Sequence, residues 1–417
     1  MASSPTYEAT CTAPVNIAVV KYWGKRNTSL ILPTNSSLSV TLDQDHLRSL
    51  TSARAISSAK EGAKDRLWLN GEEEEIKEGG RTARCLQEMR ALRKQVESTN
   101  SSLPSLTQYP LHIASENNFP TAAGLASSAS GLSALIATLS TLYDLPANGV
   151  STSTLSRIAR QGSGSACRSM FGGYVAWEQG SEEDGSDSVA SQVADEQHWP
   201  DLHALIFVVS DKKKGTPSTA GMQRTVATSA LLQHRIQHVV PARMERISAA
   251  IRSKDFDAFA AETMADSNQF HAVCLDTAPP IFYLNDVSRA IIQVVEELNR
   301  ASVERGEGLK AAYTYDAGPN AVLYVQEKDV NEVLGAVMHF FPQSDESFPD
   351  PFKTGVSPEG ADKLPEGFND KVAVVHEQGA VARVIHTKVG GGPRVLDSKA
   401  EGLLGGDGMP KRVVKRV

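Results

Sequence analysis

The chain has 417 residues, with 42 Lys and Arg against 49 Asp and Glu, a formal net charge of −7, and 41% hydrophobic beside 22% charged residues. This length and apolar share exclude global disorder and leave room for one large bilobed unit or two lobes sharing a core. The mild acidity argues against nucleic acid or an anionic membrane as partner, so any anionic substrate has to be met by local positive charge.

In chain order, the opening residues lack a basic stretch followed by an apolar one. No run reaches the roughly 18 apolar residues of a membrane span, so a soluble, cytoplasmic protein is expected. Residues 15–20 and 38–42 read as short strands around a functional loop. Asn70-Gly71 ahead of the acidic run Glu72 to Glu75 predicts a hairpin turn with a solvated face. Leu86, Met89, Leu92 and Val96 at helical spacing predict an amphipathic helix over 81–97. Leu132, Leu135, Ile136, Leu139, Leu142 and Tyr143 predict a buried helix over 131–145, closed by Pro146. The polar stretch 180–196 marks a lobe boundary or an exposed excursion, and 203–209 reads as a buried strand followed by a solvated cluster, Lys212 to Lys214. Residues 311–315 and 321–325 predict strands around the turn Asp316-Ala-Gly-Pro-Asn320. Residues 343–370, rich in Pro, Asp, Ser and Gly, read as a surface insertion. Strands and helices alternate irregularly without a repeat, which indicates α+β. Cys11, Cys85, Cys167 and Cys274 have no paired spacing, so neither a disulfide framework nor a metal cluster is expected.

Four segments carry chemistry. The first runs from Glu116 through Asn-Asn-Phe-Pro-Thr-Ala-Ala-Gly-Leu-Ala-Ser-Ser-Ala to Ser130 and leads into the buried helix. Small residues and a glycine at a helix N-terminus suit a phosphate, and Ser127 and Ser128 offer hydroxyls to a phosphate or to Mg²⁺. A Ser/Ala-rich cap for a packed helix fits the same residues. The second runs from Ala13 to Arg26 and sets Lys21, Lys25 and Arg26 around Tyr22, Trp23 and Gly24, as an anion site or as cations snorkelling from a strand end. The third, Arg160-Gln-Gly-Ser-Gly-Ser-Ala-Cys-Arg-Ser169, can wrap a diphosphate with backbone donors and the fork of Arg168, or be a flexible loop. The fourth is Asp316 on its turn, a turn cap or a general base. Neither Gly-x4-Gly-Lys-Ser/Thr nor a Gly-x-Gly-x-x-Gly following a strand occurs, which excludes a Walker-type NTPase and a dinucleotide fold.

The pattern Pro-x3-Gly-Leu-x-Ser-Ser-Ala over 120–129 resembles the phosphate loop of the small-molecule kinase superfamily that includes galactokinase, homoserine kinase and mevalonate kinase (GHMP kinases). All four segments in this order, with Thr34-Asn-Ser-Ser-Leu-Ser39 between the first two, resemble the fungal-type mevalonate diphosphate decarboxylase family. The likeness extends through Leu67-Trp-Leu-Asn-Gly71, Phe171-Gly-Gly-Tyr-Val-Ala-Trp177, Met264-Ala-Asp-Ser-Asn268 and Pro279-Pro-Ile-Phe-Tyr283. It implies a two-lobed fold with a ribosomal protein S5 domain 2-like N-terminal lobe and a ferredoxin-like C-terminal lobe flanking a cleft. The lobes are expected over 1–200, with the ATP phosphate loop, and 201–417, with the catalytic Asp and the insertion near 343–370.

The activity implied is ATP- and Mg²⁺-dependent decarboxylation of mevalonate 5-diphosphate to isopentenyl diphosphate in isoprenoid and sterol biosynthesis, by a homodimer. Carried over residue by residue, Asp316, Lys21, Arg168 and Ser128 would be catalytic. Tyr22, Trp23, Gly24, Lys25, Arg81, Ser163, Gly164, Ser165, Ala166, Cys167, Arg168, Ser218 and Thr219 would line the mevalonate diphosphate pocket. Pro120, Ala122, Ala123, Gly124, Leu125, Ala126, Ser127 and Ser128 would cradle the ATP phosphates. No dedicated metal cluster is implied: the phosphates would hold Mg²⁺, with Ser127 or Ser128 as the candidate direct contact. His271 reads as a core or pocket-wall histidine. Two alternatives are a kinase of the same superfamily that stops at phosphorylation and a silent sensor that binds without turnover.

Overall fold

The computed structural model describes residues 6–57, 62–119, 127–209 and 215–412. Strand β1 (Tyr7–Pro14) passes through Val15 directly into β2 (Asn16–Val20), yet the two join different sheets. A short hairpin of β3 (Lys25–Asn27) and β4 (Leu32–Pro33) precedes β5 (Ser37–Thr41), β6 (Arg48–Ala55), β7 (Arg66–Leu69) and β8 (Glu72–Glu74). The β7–β8 connection is the expected Asn70-Gly71 turn, with φ of 51° and 86°, the left-handed pair that a type I′ hairpin requires. Helix α1 (Arg81–Thr99), β9 (Leu111–Asn117), α2 (Ser127–Leu142), α3 (Thr152–Gly162), β10 (Tyr174–Trp177) and β11 (Ala190–Ala194) complete this half. The expected buried helix thus begins four residues earlier than its apolar period, at Ser127, because small polar residues continue its first turn.

The second half opens with β12 (Leu202–Val208), buried along its whole length. Helices α4 (Ser218–Thr228) and α5 (Ala230–His234) follow, then a π-helical turn (Arg235–Val239) and α6 (Val240–Ser253), α7 (Phe256–Leu275) and α8 (Asp286–Glu304). Strands β13 (Ala311–Tyr315) and β14 (Ala321–Gln326), helix α9 (Val330–Phe340), β15 (Arg383–Lys388) and β16 (Arg394–Leu396) finish it.

These strands form a six-stranded sheet, β16-β1-β6-β9-β7-β8, and two four-stranded sheets, β11-β10-β5-β2 and β13-β14-β12-β15. The two four-stranded sheets share one core. Ile17, Val19, Leu38 and Val40 belong to the same apolar cluster as Leu205, Phe207, Leu323 and Tyr324. Helix α2 lies across β1 and β6, and α7 lies against β13 and β2. Strand ends from both halves therefore converge near Val20 and Tyr315. Among the described residues, no helix is long and apolar enough to cross a membrane.

Strand β16 returns to the N-terminal half of the chain, where it pairs antiparallel with β1 (Thr10↔Leu396) along that strand's free edge. The segment near 343–370 is exposed or half-buried over most of its length, with a few side chains anchored in the fold. Phe348 is buried in the shared core, and the Phe352 ring sits 4.1 Å from that of His386 and 5.1 Å from that of His203.

Candidate active site

Lys21 and Asp316 lie just past the ends of β2 and β13, and the Lys21 ammonium donates to Asp316 Oδ1 at 2.6 Å. The Lys21 side chain is 3% exposed and that of Asp316 is 30% exposed, so the carboxylate is the partner that meets solvent. The turn after Tyr315 is closed by Gly318 N–H donating to the Asp316 carbonyl at 2.7 Å. Both halves of the expected acid–cation pair are thus delivered by strand ends from opposite halves of the chain.

Arg168 comes from the helical turn Gly164–Met170 and is buried. Its Nε donates to Ser39 Oγ at 2.8 Å and its Nη1 to Ser37 Oγ at 2.6 Å. Its charge faces hydroxyls and the Asn16 amide oxygen, 3.3 Å from Nε, rather than a paired carboxylate, and burial pulls the guanidinium down from its ordinary range. Ser128, in the first turn of α2, is 3.2 Å from Ser163 Oγ at the end of α3. Tyr22 packs on Trp177 at 4.7 Å between ring centroids, and burial raises its phenol well above the usual range. Trp23 Nε1 donates to Thr225 Oγ1 at 3.0 Å. Burial, then Arg81 and Arg84, lower the Lys25 ammonium.

These groups enclose one cavity of about 170 Å³. Its wall includes Lys21, Tyr22, Trp23, Lys25, Arg81, Ser128, Ser163, Gly164, Ser165, Arg168, Ser218, Thr219 and Asp316. Asn16, Ala18, Met222 and Ala317 also line it and were not singled out from the sequence, although Asn16 and Ala18 lie inside the 13–26 segment. Three expected pocket residues, Gly24, Ala166 and Cys167, are not among those lining this cavity. Gly24 shapes the backbone: its φ is 98°, and a Cβ there would come 2.6 Å from Thr34 Oγ1. Ala166 packs in the core under α2, and Cys167 packs behind Trp177, where burial pushes its thiol up to about 12. The proposed phosphate-loop residues Pro120, Ala122, Ala123, Gly124, Leu125 and Ala126 lie outside the described residues, as do Lys212 to Lys214.

Ser127 and Ser128 also line a second, more apolar cavity of about 250 Å³, walled by Leu67, Leu69, Ile113, Leu132 and Leu135. Ser128 stands between the two. No sequence signal marked this space, because its walls come from β7, β9 and α2. Among the described residues, no group of three His, Cys, Asp or Glu is assembled for a metal. The donor set at the junction, two hydroxyls and a nearby carboxylate, suits a hard cation whose remaining oxygens come from phosphates. His271 lies buried near the ion pair: it is 8% exposed and pushed down to about 3 by burial and then by Lys21.

The chain matches a diphosphomevalonate decarboxylase-like N-terminal domain over residues 13–190 and a mevalonate 5-diphosphate decarboxylase C-terminal domain over 204–396. It is 64% identical over 405 residues to a diphosphomevalonate decarboxylase from Ganoderma lucidum, covering 97% of this chain and 99% of that one. A crystal structure of mevalonate 5-diphosphate decarboxylase, 50% identical, superposes with a TM-score of 0.83 over 96% of this chain and 99% of that one. A third neighbour, solved as MDDEF in complex with MVAPP, AMPPCP and magnesium, is 29% identical with a TM-score of 0.68, covering 94% of this chain and all of that one.

Proposed function

The chain belongs to the diphosphomevalonate decarboxylase family, and from that premise we propose that its two adjoining cavities bind mevalonate 5-diphosphate and ATP and divide the work of an ATP-dependent carboxy-lyase. The single observation carrying the reading is the 2.6 Å Lys21–Asp316 pair at the cavity shared with Arg168 and Ser128. Lys25, Arg81, Arg168 and the turn Ser163 to Ser165 supply the local positive charge and donors that a diphosphate needs in a chain of charge −7. The second cavity, apolar and opening at the start of α2, suits a nucleoside, with phosphates at the helix N-terminus beside Ser127 and Ser128. The neighbour solved with AMPPCP and magnesium supports ATP and Mg²⁺. Bound Mg²⁺ supplies charge neutralisation across the phosphates, and Ser127 and Ser128 are the residues offered to it.

Asp316 accepts the proton of the C3 hydroxyl as that oxygen takes the terminal phosphoryl group of ATP. A tertiary hydroxyl leaves poorly, whereas its phosphate departs as inorganic phosphate and leaves positive charge at C3. The carboxylate carbon–carbon bond then breaks, its electron pair forms the alkene, and CO₂ is released. Once Asp316 has passed that proton to solvent through its exposed edge, its carboxylate favours the cationic state electrostatically, while Lys21 and Arg168 offset the crowded phosphate charge. A homodimer in the cytoplasm is the assembly and location supported by family resemblance, and equilibrium sedimentation at twice the chain mass is the outcome expected.

The test is incubation with ATP, Mg²⁺ and mevalonate 5-diphosphate while following CO₂ and ADP together. Equal amounts are expected. ADP without CO₂ would identify a kinase that stops at phosphorylation, and binding without either product a silent sensor.

A further inference from the structure

Helix α7 presents Asp266 and Ser267 in succession where β2 and β13 end. Asp266 Oδ2 accepts the backbone N–H of Lys21 at 2.7 Å, and Ser267 Oγ accepts the N–H of Tyr315, the residue before Asp316, at 3.0 Å. Arg235 opens the π-helical turn and is fully buried. Its Nη1 and Nη2 donate to the two Asp266 oxygens at 2.8 and 3.1 Å, and Nη2 also reaches the Lys21 carbonyl at 3.1 Å. Both backbone polar groups of Lys21 are thereby gripped by one buried ion pair, and the strand carrying Asp316 is gripped one residue further along the same helix.

None of these three residues lines the cavity. A buried ion pair is also a weak source of net stability, because desolvation offsets most of the attraction and apolar packing does as well. Its placement on the backbone of the two reacting strands is what needs a reason, and reacting groups held about 1 Å out of place lose rate steeply. We propose that Asp266, Ser267 and Arg235 are positioning residues that fix the Lys21 ammonium relative to the Asp316 carboxylate. The proposal rests on the roles given to Lys21 and Asp316 above.

Arg235→Lys keeps a cation beside Asp266 but cannot also bridge to the Lys21 carbonyl, because a single ammonium lacks the planar fork. Ser267→Ala removes one oxygen. Each is expected to lower kcat by about 10- to 100-fold while the KM for mevalonate diphosphate stays within about threefold. Double-mutant cycles, read by labelled CO₂ release, separate positioning from bulk stability. In a Lys21→Met background Arg235→Lys should cost less than about twofold, and Ser267→Ala should behave likewise in Asp316→Asn. Losses as large in those backgrounds as in the parent overturn the proposal, as do two single variants with parental kcat. If Arg235→Lys does not fold, Ser267→Ala and its cycle decide. Parental turnover in Lys21→Met and Asp316→Asn would instead sink the proposed catalytic roles and this proposal with them, an outcome distinct from inactive backgrounds without coupling.

Discussion

Two ion pairs stacked on the same residue, Lys21, behave oppositely toward solvent. In the upper one, Asp316 spends Oδ1 on the Lys21 ammonium and remains 30% exposed at the cavity. In the lower one, Arg235 and Asp266 are both 0% exposed, and each Asp266 oxygen accepts twice: Oδ1 from Arg235 and Arg243, Oδ2 from Arg235 and the Lys21 N–H. Burial pushes the Asp266 carboxyl up, but Arg235 and then Arg243 outweigh it and hold the group below the usual carboxylate range. A carboxylate with every lone pair engaged cannot change partner during turnover, whereas one with an open edge can. The contrast separates a group suited to reaction from one suited to holding geometry.

Breaking the upper pair should therefore move rate and leave stability, and breaking the lower pair should move stability first. Asp316→Asn is expected to cut kcat by about 10² to 10⁴. Unfolding free energy should change by no more than about 1 kcal/mol, because the pair is part-exposed and the amide oxygen still accepts from Lys21. Turnover with substrate and a denaturant melt on the same sample check both halves. Asp266→Asn strands the buried Arg235 without its counter-charge and leaves Arg243 only Glu262, and a loss of about 3 to 5 kcal/mol in unfolding free energy is expected. A melt of Asp266→Asn that matches the parent would erase the distinction between the pairs.

The upper pair was legible in the sequence and the lower one was not, for a physical reason. Lys21, Arg168 and Ser128 sit in segments whose glycines, serines and cations are neighbours along the chain, so local chemistry announces them. Asp266 joins the Lys21 backbone across 245 residues and Arg235 across 214, and no local pattern encodes such a contact. Asp266 did leave a trace, inside the segment 264–268 that extends the family likeness. Arg235 left none. The buried strands and the Asn70-Gly71 turn followed from patterning, whereas the return of β16 to β1 did not, since Arg-Val-Leu is too short to carry a period.

Arg168 tests an intermediate case, a buried cation whose partners are hydroxyls and the Asn16 amide. Arg168→Lys retains the charge but cannot engage Ser37, Ser39 and a ligand together, so the KM for mevalonate diphosphate should rise about tenfold with a smaller change in kcat. Initial rates against substrate concentration would show it. An unchanged KM would mean that Arg168, like Arg235, serves geometry alone.

The smallest expected effect comes from His271, a buried residue of α7 near the Lys21–Asp316 pair. The folded protein keeps this imidazole neutral down to about pH 3, chiefly because burial disfavours the imidazolium and then because Lys21 repels it. The unfolded chain protonates it near pH 6.5. Between those values the unfolded state binds the extra proton, so stability falls as pH falls, by about 1.4 kcal/mol per unit once well below 6.5. His271→Phe keeps the ring's bulk and removes the proton site. Other buried imidazoles, His203 and His386, are also shifted down by burial and contribute the same sign of slope, so the comparison has to be a difference between proteins. Between pH 6.5 and 5.5 the variant should lose about 1 kcal/mol less stability than the parent, read from denaturant midpoints at each pH. Equal slopes would mean that His271 reaches solvent on acidification, and the packing around it near Lys21 and Asp316 would then be permeable where the Arg235–Asp266 layer is not.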